Sequence, residues 1–302
     1  MGRLGVLGDL VEDIIVWQRE PLRHATDTDA ILRRTRGGSA ANVAAFAAAR
    51  YPTRFLGCIG EDAVGDALVA ELRGAGVDTR VQRKAKTGTI VILVDPQGER
   101  SMLPDRGAAT ELVDVPDEWL HDLDHLHVPA YSLAEEPLAS TALTCLETCR
   151  ADGATTSVDA SSTGVLERYG LVAAMDLLEG LAPDVVFANS AEAMALGLWA
   201  GSSAGPARAR LSDSTIVVKD GAGPTTVLPA SGDAITVPVR RVAEVRDLTA
   251  AGDAFAAGFL SAYLRGSDLR QASLGGHDMA ARVLSAPGAE VTGHKTSDSG
   301  VG

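Results

Sequence analysis

Residues 247–263 of this 302-residue chain read DLTAAGDAFAAGFLSAY, and the interpretation of the whole sequence starts from them. Phe255, Phe259 and Tyr263 recur every four residues beside a row of small residues, which predicts a buried helix beginning near residue 250. The residues that open this helix are small, so their backbone N–H groups remain uncovered. Uncovered N–H groups at the positive end of a helix dipole favour an anion, and the segment therefore predicts an anion-binding helix N-terminus.

Asp253 falls in the first turn of this predicted helix. The helix dipole is expected to stabilise its negative charge there and to lower its pKa. An ionised carboxylate beside an anion site suits a general base that acts on a hydroxyl next to a transferring phosphoryl group. An acidic residue at this position can equally be a plain helix cap, and the segment alone does not separate the two interpretations.

Composition narrows the classes of function. The chain has 27 Lys and Arg against 40 Asp and Glu, a formal net charge of −13. This balance argues against nucleic acid as the main partner, because such binding needs a basic surface. An anionic substrate stays compatible, since a few local donors can outweigh a remote negative field. The longest uncharged run, residues 193–207, contains Pro206 and is shorter than the roughly 20 residues of a membrane helix, so we expect no membrane partner.

Cysteine usage and the N-terminus indicate the compartment. Three cysteines give no disulfide framework, and acidic residues occupy the segment where a signal peptide would need an apolar stretch. We therefore expect a cytoplasmic protein. Cys145 and Cys149 lie one helical turn apart without a second pair nearby, which favours core packing over a metal site.

Apolar runs and helical patterns alternate along most of the chain. Such alternation predicts a mostly parallel central sheet with helices on both faces. The predicted strands are residues 4–7, 54–59, 125–128, 155–159, 185–188 and 215–218, and the predicted helices are residues 39–49, 62–73, 135–150, 166–179 and 191–198.

Two regions, at about residues 10–36 and 87–105, are strand-like without intervening helices. The turn Asp95-Pro96-Gln97-Gly98 joins the two strands of the second region. They predict a small antiparallel sheet that acts as a lid, closing over a substrate and excluding water. The edges of such a lid can pair with a second copy, so a homodimer is a candidate assembly. We expect one domain over residues 1–295 and a flexible tail over residues 296–302.

Residues 247–253 resemble the D-T-x-G-A-G-D signature of the PfkB family of carbohydrate kinases, also called ribokinase-like. Asp247, Ala251, Gly252 and Asp253 match, whereas Leu248 and Ala250 replace a Thr and the first Gly. The resemblance implies a ribokinase-like three-layer α/β/α domain with a small β-sheet lid. It also implies that Asp253 is the catalytic base and that the helix N-terminus over residues 250–253 is the anion hole. The methyl group of Ala250 is added at a position where the family's backbone approaches the phosphate closely. Activity weaker than that of family members with glycine at this position is therefore an open alternative.

A second signature lies near the start of the chain. Residues 37–44, GGSAANVA, resemble the family's G-G-x-x-x-N-x-A segment, and residues 55–65 resemble its continuation. Alone, a double glycine before an Ala-rich helix is more typical of tight packing. Together with the first signature, it implies that Gly37, Gly38 and Asn42 bind the substrate, with the Asn42 amide offering a donor and an acceptor to a polyol.

Two charged residues are further candidates for substrate binding. Asp13 follows the first strand, where a carboxylate can accept hydrogen bonds from two vicinal hydroxyls. The resemblance implies an acidic substrate contact in this region, with Asp13 the better match, Asp9 the second, and a solvated loop charge the alternative. Arg106 follows the lid strands and fits either a cation over an anionic substrate or a surface salt bridge.

Residues 189–192, NSAE, resemble the family's N-x-x-E motif. The resemblance implies that Asn189 lies near the nucleotide and that Glu192 is tied to Mg²⁺ through water. The same residues also fit a plain helix-capping box.

Residues 216–224, IVVKDGAGP, resemble the loop beside ATP and imply nucleotide contacts from Lys219, Gly221 and Gly223, although a plain hairpin turn is the alternative. His277 stands where the family commonly has Asn, and residues 286–289 resemble a segment that flanks the adenine. Thr249 and residues 285–292 correspond to a monovalent-cation site of some members. The implied cofactors are therefore ATP and Mg²⁺, with K⁺ a candidate.

The expected activity is transfer of the γ-phosphoryl group of ATP to a hydroxymethyl group of a sugar or sugar derivative. One alternative is a nucleoside kinase, and another is a sugar or nucleotide sensor with weak catalysis, motivated by Leu248 and Ala250. No P-loop or dinucleotide fingerprint is found. His125 and His127 lie in an acidic, histidine-rich segment, which we interpret as surface residues rather than as a zinc site.

Overall fold

The computed structural model describes residues 2–239, 242 and 250–285, and the elements below belong to these residues. The strands are β1 (Arg3–Leu7), β2 (Val11–Gln18), β3 (Ala30–Gly37), β4 (Thr53–Ile59), β5 (Asp78–Arg83), β6 (Thr87–Val94), β7 (Arg100–Gly107), β8 (Leu123–Pro129), β9 (Thr155–Asp159), β10 (Val185–Asn189), β11 (Thr215–Lys219), β12 (Thr225–Leu228) and β13 (Ile235–Val237). The helices are α1 (Ser39–Ala48), α2 (Ala63–Gly74), α3 (Asp117–Leu120), α4 (Leu138–Ala151), α5 (Thr163–Tyr169), α6 (Leu171–Leu181), α7 (Ser190–Ala195), α8 (Ala251–Tyr263) and α9 (Leu269–Leu284).

A nine-stranded sheet forms the centre of the molecule, in the order β13-β12-β11-β10-β9-β8-β1-β4-β5. The strands from β11 to β5 run parallel. Among the described strands of this sheet, β12 alone runs in the opposite direction, because β13 is antiparallel to β12 and so points the same way as β11. Strand β1 lies between β4 and β8, so the chain moves outward from β1 in both directions. In open α/β sheets, this reversal point opens a crevice at the carboxyl ends of the strands, where ligands bind.

Two hydrophobic cores cover the two faces of this sheet. One core includes buried residues of α4, α5, α6 and α7, and the other includes buried residues of α1, α2, α8 and α9. Cys145 and Cys149 are buried in the first core as free thiols, as the packing interpretation predicts. The arrangement is a three-layer α/β/α sandwich.

A second sheet of four strands, in the order β3-β2-β6-β7, forms the lid. Its central pair, β2 and β6, runs parallel, whereas β2–β3 and β6–β7 are antiparallel. The prediction of a purely antiparallel lid was therefore wrong. The chain leaves the lid after β3 to form α1, β4, α2 and β5, so the second half of the lid returns in the same direction as β2.

Other differences from the predicted elements are local. The single helix predicted over residues 166–179 is two helices, α5 and α6, because Gly170 between them has φ 93. Strands β5, β12 and β13 and helix α9 were not predicted. Among the described residues, no helix is both long enough and apolar enough to cross a bilayer.

Candidate active site

A cavity of about 1470 Å³ lies between the carboxyl ends of the central strands and the lid. Residues following four central strands line it, namely Asp9 after β1, Asp159 and Asn189 at the ends of β9 and β10, and Lys219 at the end of β11. Lid residues from β2, β6 and β7 line the opposite wall. The cavity thus occupies the crevice that the sheet topology creates.

Helix α8 opens into this cavity, as the sequence predicts. Its first internal hydrogen bond runs from the Ala254 N–H to the Ala250 carbonyl, 2.8 Å. The N–H groups of Ala251, Gly252 and Asp253 precede this bond and therefore lie at the positive end of the helix dipole. All four residues from Ala250 to Asp253 line the cavity.

Asp253 is held by two donors from the start of α1. Ser39 Oγ donates to its Oδ1 at 2.7 Å, and Asn42 Nδ2 donates to its Oδ2 at 2.9 Å. Two signatures that lie more than 200 residues apart in the sequence therefore meet at one carboxylate. Sequence reasoning missed Ser39, which occupies an unspecified position of the G-G-x-x-x-N-x-A pattern.

The predicted lowering of the Asp253 pKa was wrong. Burial raises the pKa of Asp253, and this effect outweighs the two hydrogen bonds, which lower it. The negative charge of Asp159 raises it further. A carboxylate with a raised pKa accepts a proton more readily, which is the property required of a general base.

Asp13 lies inside lid strand β2 rather than at a strand end, and it is 6% exposed. Its Oδ1 has no hydrogen-bond partner within the described residues, and Asp13 lines the same cavity as Asp253. Burial first, and the negative charge of Asp253 second, raise the pKa of Asp13 to about 7. A buried acceptor without a partner is suited to a hydroxyl from a ligand.

The double glycine provides space rather than contacts. A Cβ at Gly37 would lie 2.0 Å from Asp13 Oδ1, so only glycine leaves room for that carboxylate. Gly38 has φ 94, and a Cβ there would lie 2.3 Å from the Asp9 carbonyl. Gly38 lines the cavity, whereas Gly37 lies behind Asp13 and does not.

Arg106 lines the cavity with its guanidinium already engaged. It donates to both oxygens of Asp9, at 2.8 and 2.6 Å, and lies 3.3 Å from Glu135. Burial opposes the Arg106 charge, but the hydrogen bonds and attraction to Asp9 outweigh burial and raise its pKa. Two carboxylates thus offset one cation, which leaves little net positive charge for an anionic substrate.

The NSAE segment forms a complete capping box. Asn189 Oδ1 accepts from the Glu192 N–H at 2.9 Å, and the Glu192 carboxylate accepts from the Asn189 N–H at 2.7 Å. The capping interpretation is therefore confirmed, and both residues also line the cavity. Burial first, and Asp159 second, raise the pKa of Glu192.

An ion pair between Lys219 and Asp159 crosses the floor of the cavity. Lys219 Nζ donates to Asp159 Oδ2 at 2.8 Å, and it would lie 3.4 Å from a Cβ placed on Gly252. Lys219 is therefore beside the opening of α8. Burial opposes its charge, but attraction to Asp159 outweighs burial and raises the Lys219 pKa. Sequence reasoning missed Asp159, whose only signal was its place at the end of a predicted strand.

The remaining predicted nucleotide residues divide into two groups. Gly221 and His277 line the cavity, and His277 Nε2 lies 2.9 Å from Thr225 Oγ1. Gly223 does not line it and instead donates its N–H to the Asp220 carbonyl at 2.7 Å, within the turn. Leu248, Thr249 and residues 286–292, which include the proposed adenine and K⁺ segments, fall outside the described residues.

The prediction that His125 and His127 lie on the surface was wrong. Both are fully buried on β8, where burial lowers their pKa values to about 3 and about 4. Ser157 Oγ lies 2.7 Å from His125 Nε2 and 2.8 Å from His127 Nδ1. Within the described part of the chain, no group of three or more His, Cys, Asp or Glu residues could hold a metal ion directly.

Comparison with known proteins identifies the family of this chain. The model of the pfkB family carbohydrate kinases matches residues 2–295. An ATP-dependent ribose-1-phosphate kinase of Halopiger xanaduensis is 31% identical over 250 residues, 80% of this chain and 77% of the relative. A fructokinase of Vibrio alginolyticus is 28% identical over 284 residues, 89% and 86% of the two chains.

Among solved structures, an adenosine kinase from Sinorhizobium meliloti superposes with a TM-score of 0.83 at 25% identity, covering 94% of each chain. The chain belongs to the pfkB family of carbohydrate kinases, which are ATP-dependent phosphotransferases. The predicted family and the ribokinase-like fold are thereby confirmed.

Proposed function

We propose that this enzyme transfers the γ-phosphoryl group of ATP to a hydroxymethyl group of a sugar or sugar derivative, with Asp253 as the general base. The observation that carries this proposal is the partly buried Asp253 carboxylate, which lies in the first turn of α8, lines the cavity and accepts hydrogen bonds from Ser39 and Asn42. Asp253 takes the hydroxyl proton, and the N–H groups at the start of α8 stabilise the negative charge of the transferring group.

Lys219 contributes a fixed positive charge beside that helix N-terminus. Its distance from the Gly252 position supports a contact with the β- or γ-phosphate of ATP. We assign nucleotide binding to three further residues that line the cavity, namely Asn189, Gly221 and His277.

The carboxylates near this position fit a hydrated Mg²⁺. Asp159 raises the pKa of Glu192, so the two negative charges repel each other and a cation between them would offset this repulsion. Mg²⁺ retains most of its water, and Asp159 and Glu192 would hold it through that water. When bound, the ion would neutralise phosphate charge.

On the acceptor side, we assign hydroxyl recognition to Asp13, whose Oδ1 has no partner among the described residues, and to Asn42. Gly38 gives close backbone access, and Arg106 orients Asp9 in the cavity wall. Part of the lid side of the cavity is apolar, with Ile90, Ile92, Met102 and Pro104 in its lining, which favours a nucleoside as a second candidate acceptor. A planar base would pack against such a surface.

The experiment is measurement of ADP formation with ATP and Mg²⁺ against a panel of pentoses, hexoses, sugar phosphates, keto-deoxy acids and nucleosides. Asp253→Asn should lower kcat about 10²- to 10⁴-fold while ATP affinity stays near that of the parent. Asp66→Asn is the matched control, since Asp66 also lies in the first turn of a helix but is exposed and paired with Arg83. Equal rates for Asp253→Asn and the parent would show that Asp253 is not the general base.

The same panel tests the sensor alternative. No ADP formation with any acceptor, together with saturable ligand binding by calorimetry, would favour a binding protein over a kinase. Repeating the assay with and without K⁺ tests the monovalent-cation expectation.

We further propose that the lid supports a homodimer. Its face away from the cavity has six aliphatic side chains in register, of which Leu32 is 65% and Leu103 is 58% exposed. The six are Ile14, Val16, Leu32, Val91, Leu93 and Leu103. Such a patch is typical of an interaction surface.

Light scattering after gel filtration tests this assembly. The parent should elute as a dimer and Leu32→Asp as a monomer. Val172→Asp, at a 74% exposed position on α6, should leave the dimer intact. A parent that is monomeric at every concentration would contradict the proposal.

A cytoplasmic location is also proposed, because all three cysteines are buried free thiols, which suits a reducing compartment. Cell fractionation tests it.

A further inference from the structure

Arg36 is a buried cation at the base of the lid. It is the penultimate residue of lid strand β3, it is 4% exposed, and its guanidinium lies 6.0 Å from the centre of the Phe46 ring. Burying an arginine is costly unless its donors are satisfied. The groups that Arg36 contacts must therefore offset the cost of its burial.

The contacts of Arg36 lead to the proposed base in two steps. Its Nη1 donates to Asn42 Oδ1 at 2.7 Å, and Asn42 Nδ2 donates in turn to Asp253 Oδ2 at 2.9 Å. On its other side, Arg36 Nε donates to Glu71 Oε1 on α2 at 3.0 Å. A continuous row of hydrogen bonds thus joins α2, the lid strand, α1 and the carboxylate at the start of α8.

The direction of these bonds fixes the Asn42 amide. An arginine side chain only donates, so the Asn42 oxygen must face Arg36 and the Asn42 NH₂ group must face Asp253. Without Arg36, the amide could rotate by half a turn and present its oxygen to Asp253. Two facing acceptors would then repel each other, and the carboxylate would lose one of its two donors.

Arg36 also acts on Asp13, another carboxylate that lines the cavity. Its positive charge lowers the pKa of Asp13 and so opposes the larger upward effects of burial and of Asp253. One guanidinium therefore influences both Asp13 and Asp253, the first by its charge and the second through Asn42.

We propose that Arg36 is a positioning residue for phosphoryl transfer: it orients the Asn42 amide toward Asp253 and links the base of the lid to the proposed general base. This inference rests on the proposed function, because it assigns a role relative to Asp253. The hydrogen bonds of Arg36 and Asn42 connect Arg36 to Asp253, so Arg36 acts on the carboxylate through Asn42.

The test compares Arg36→Met and Arg36→Lys with Arg34→Met. Arg34 lies on the same strand, but its side chain is 67% exposed and pairs with Glu12, so it is a matched control. Arg36→Met should lower kcat about 10- to 100-fold, as for residues that orient active-site ligands, with KM for ATP unchanged. Arg34→Met should behave as the parent.

The pH profile separates positioning from simple structural damage. Loss of the Arg36 charge should move the acidic limb of the kcat/KM profile to higher pH, because Asp13 then holds its proton more tightly. Arg36→Lys should restore the parent pH profile while recovering kcat only in part, since an ammonium group is a point donor without the planar fork. Parent-like kcat and pH profile in a folded Arg36→Met would overturn the proposal.

A second readout does not depend on activity. The effect of Asp13→Asn on the free energy of unfolding is measured against pH in the parent and in the Arg36 variants. The pH at which this effect titrates should rise in Arg36→Met, or in the equally uncharged Arg36→Gln if Arg36→Met does not fold. It should stay at the parent value in Arg36→Lys and in Arg34→Met. If this pH is the same in the parent and in the uncharged Arg36 variant, the role of Arg36 is overturned, even if no acceptor is found. If the pH rises but the parent phosphorylates no acceptor, the result counts against the proposed function alone.

Discussion

Replacing Asp13 with Asn should stabilise the folded protein at alkaline pH. Asp13 is 6% exposed, and burial together with the charge of Asp253 raises its pKa from 3.8 to about 7. Because the folded state binds this proton more tightly than the unfolded chain, the Asp13 contribution is full below about pH 4 and is lost as pH rises through 7. At about 1.4 kcal/mol per pKa unit, ionised Asp13 costs the folded state about 4 kcal/mol at pH 8.

The assay is urea unfolding of Asp13→Asn and the parent at intervals from pH 4.5 to 8.5. The variant should exceed the parent by about 2–4 kcal/mol at pH 8, the lower figure allowing for a buried amide that is itself incompletely paired. The gain should shrink toward zero by pH 4.5. The two proteins must be compared at each pH, because His125 and His127 also change the stability of both. Their lowered pKa values make stability rise with pH between about pH 4 and 6.5, whereas Asp13 makes it fall.

Asp105→Asn is the control for this experiment. Asp105 is an exposed lid carboxylate whose pKa is lowered by a hydrogen bond and attraction to Lys86, so its replacement should give no gain that grows with pH. A difference between Asp13→Asn and the parent that stays constant from pH 4.5 to 8.5 would refute the reasoning, as would one that turns in favour of the parent at high pH.

Three further predictions concern the cavity. Ala250→Gly should raise the free energy of unfolding by about 1 kcal/mol in denaturant titrations without lowering kcat, because Ala250 has φ 58, a conformation that favours glycine. Lys219→Met should raise the Kd for ATP about tenfold or more by calorimetry, since it removes a cation beside the phosphate position; an unchanged Kd would contradict this. Gly38→Ala should destabilise by about 2 kcal/mol or more, because its Cβ would approach the Asp9 carbonyl, whereas Gly76→Ala, with similar φ but open space, should cost about 1 kcal/mol.

Local pattern was enough to predict much of this protein. The four-residue spacing of Phe255, Phe259 and Tyr263 predicts helix α8, and the small residues before it predict an uncovered N-terminus, because both properties depend only on neighbours along the chain. The lid strands follow for the same reason, since two strand-like segments without a helix between them indicate a hairpin. The signatures at the two ends of the chain identified Asn42 and Asp253, which form a hydrogen bond, but they did not identify Ser39.

Tertiary structure decided the charges and the partners. The helix dipole predicts a lowered pKa for Asp253, but desolvation in the folded protein has the larger effect and the opposite sign, and it depends on residues far away in sequence. His125 and His127 are buried for the same reason, because helices cover both faces of β8. The Lys219–Asp159 pair and the contact of Arg36 with Asn42 also arise only when separate elements pack together. The sequence thus determined which groups are present and where each helix begins, and packing determined which of them share a low-dielectric cavity and what charge they hold there.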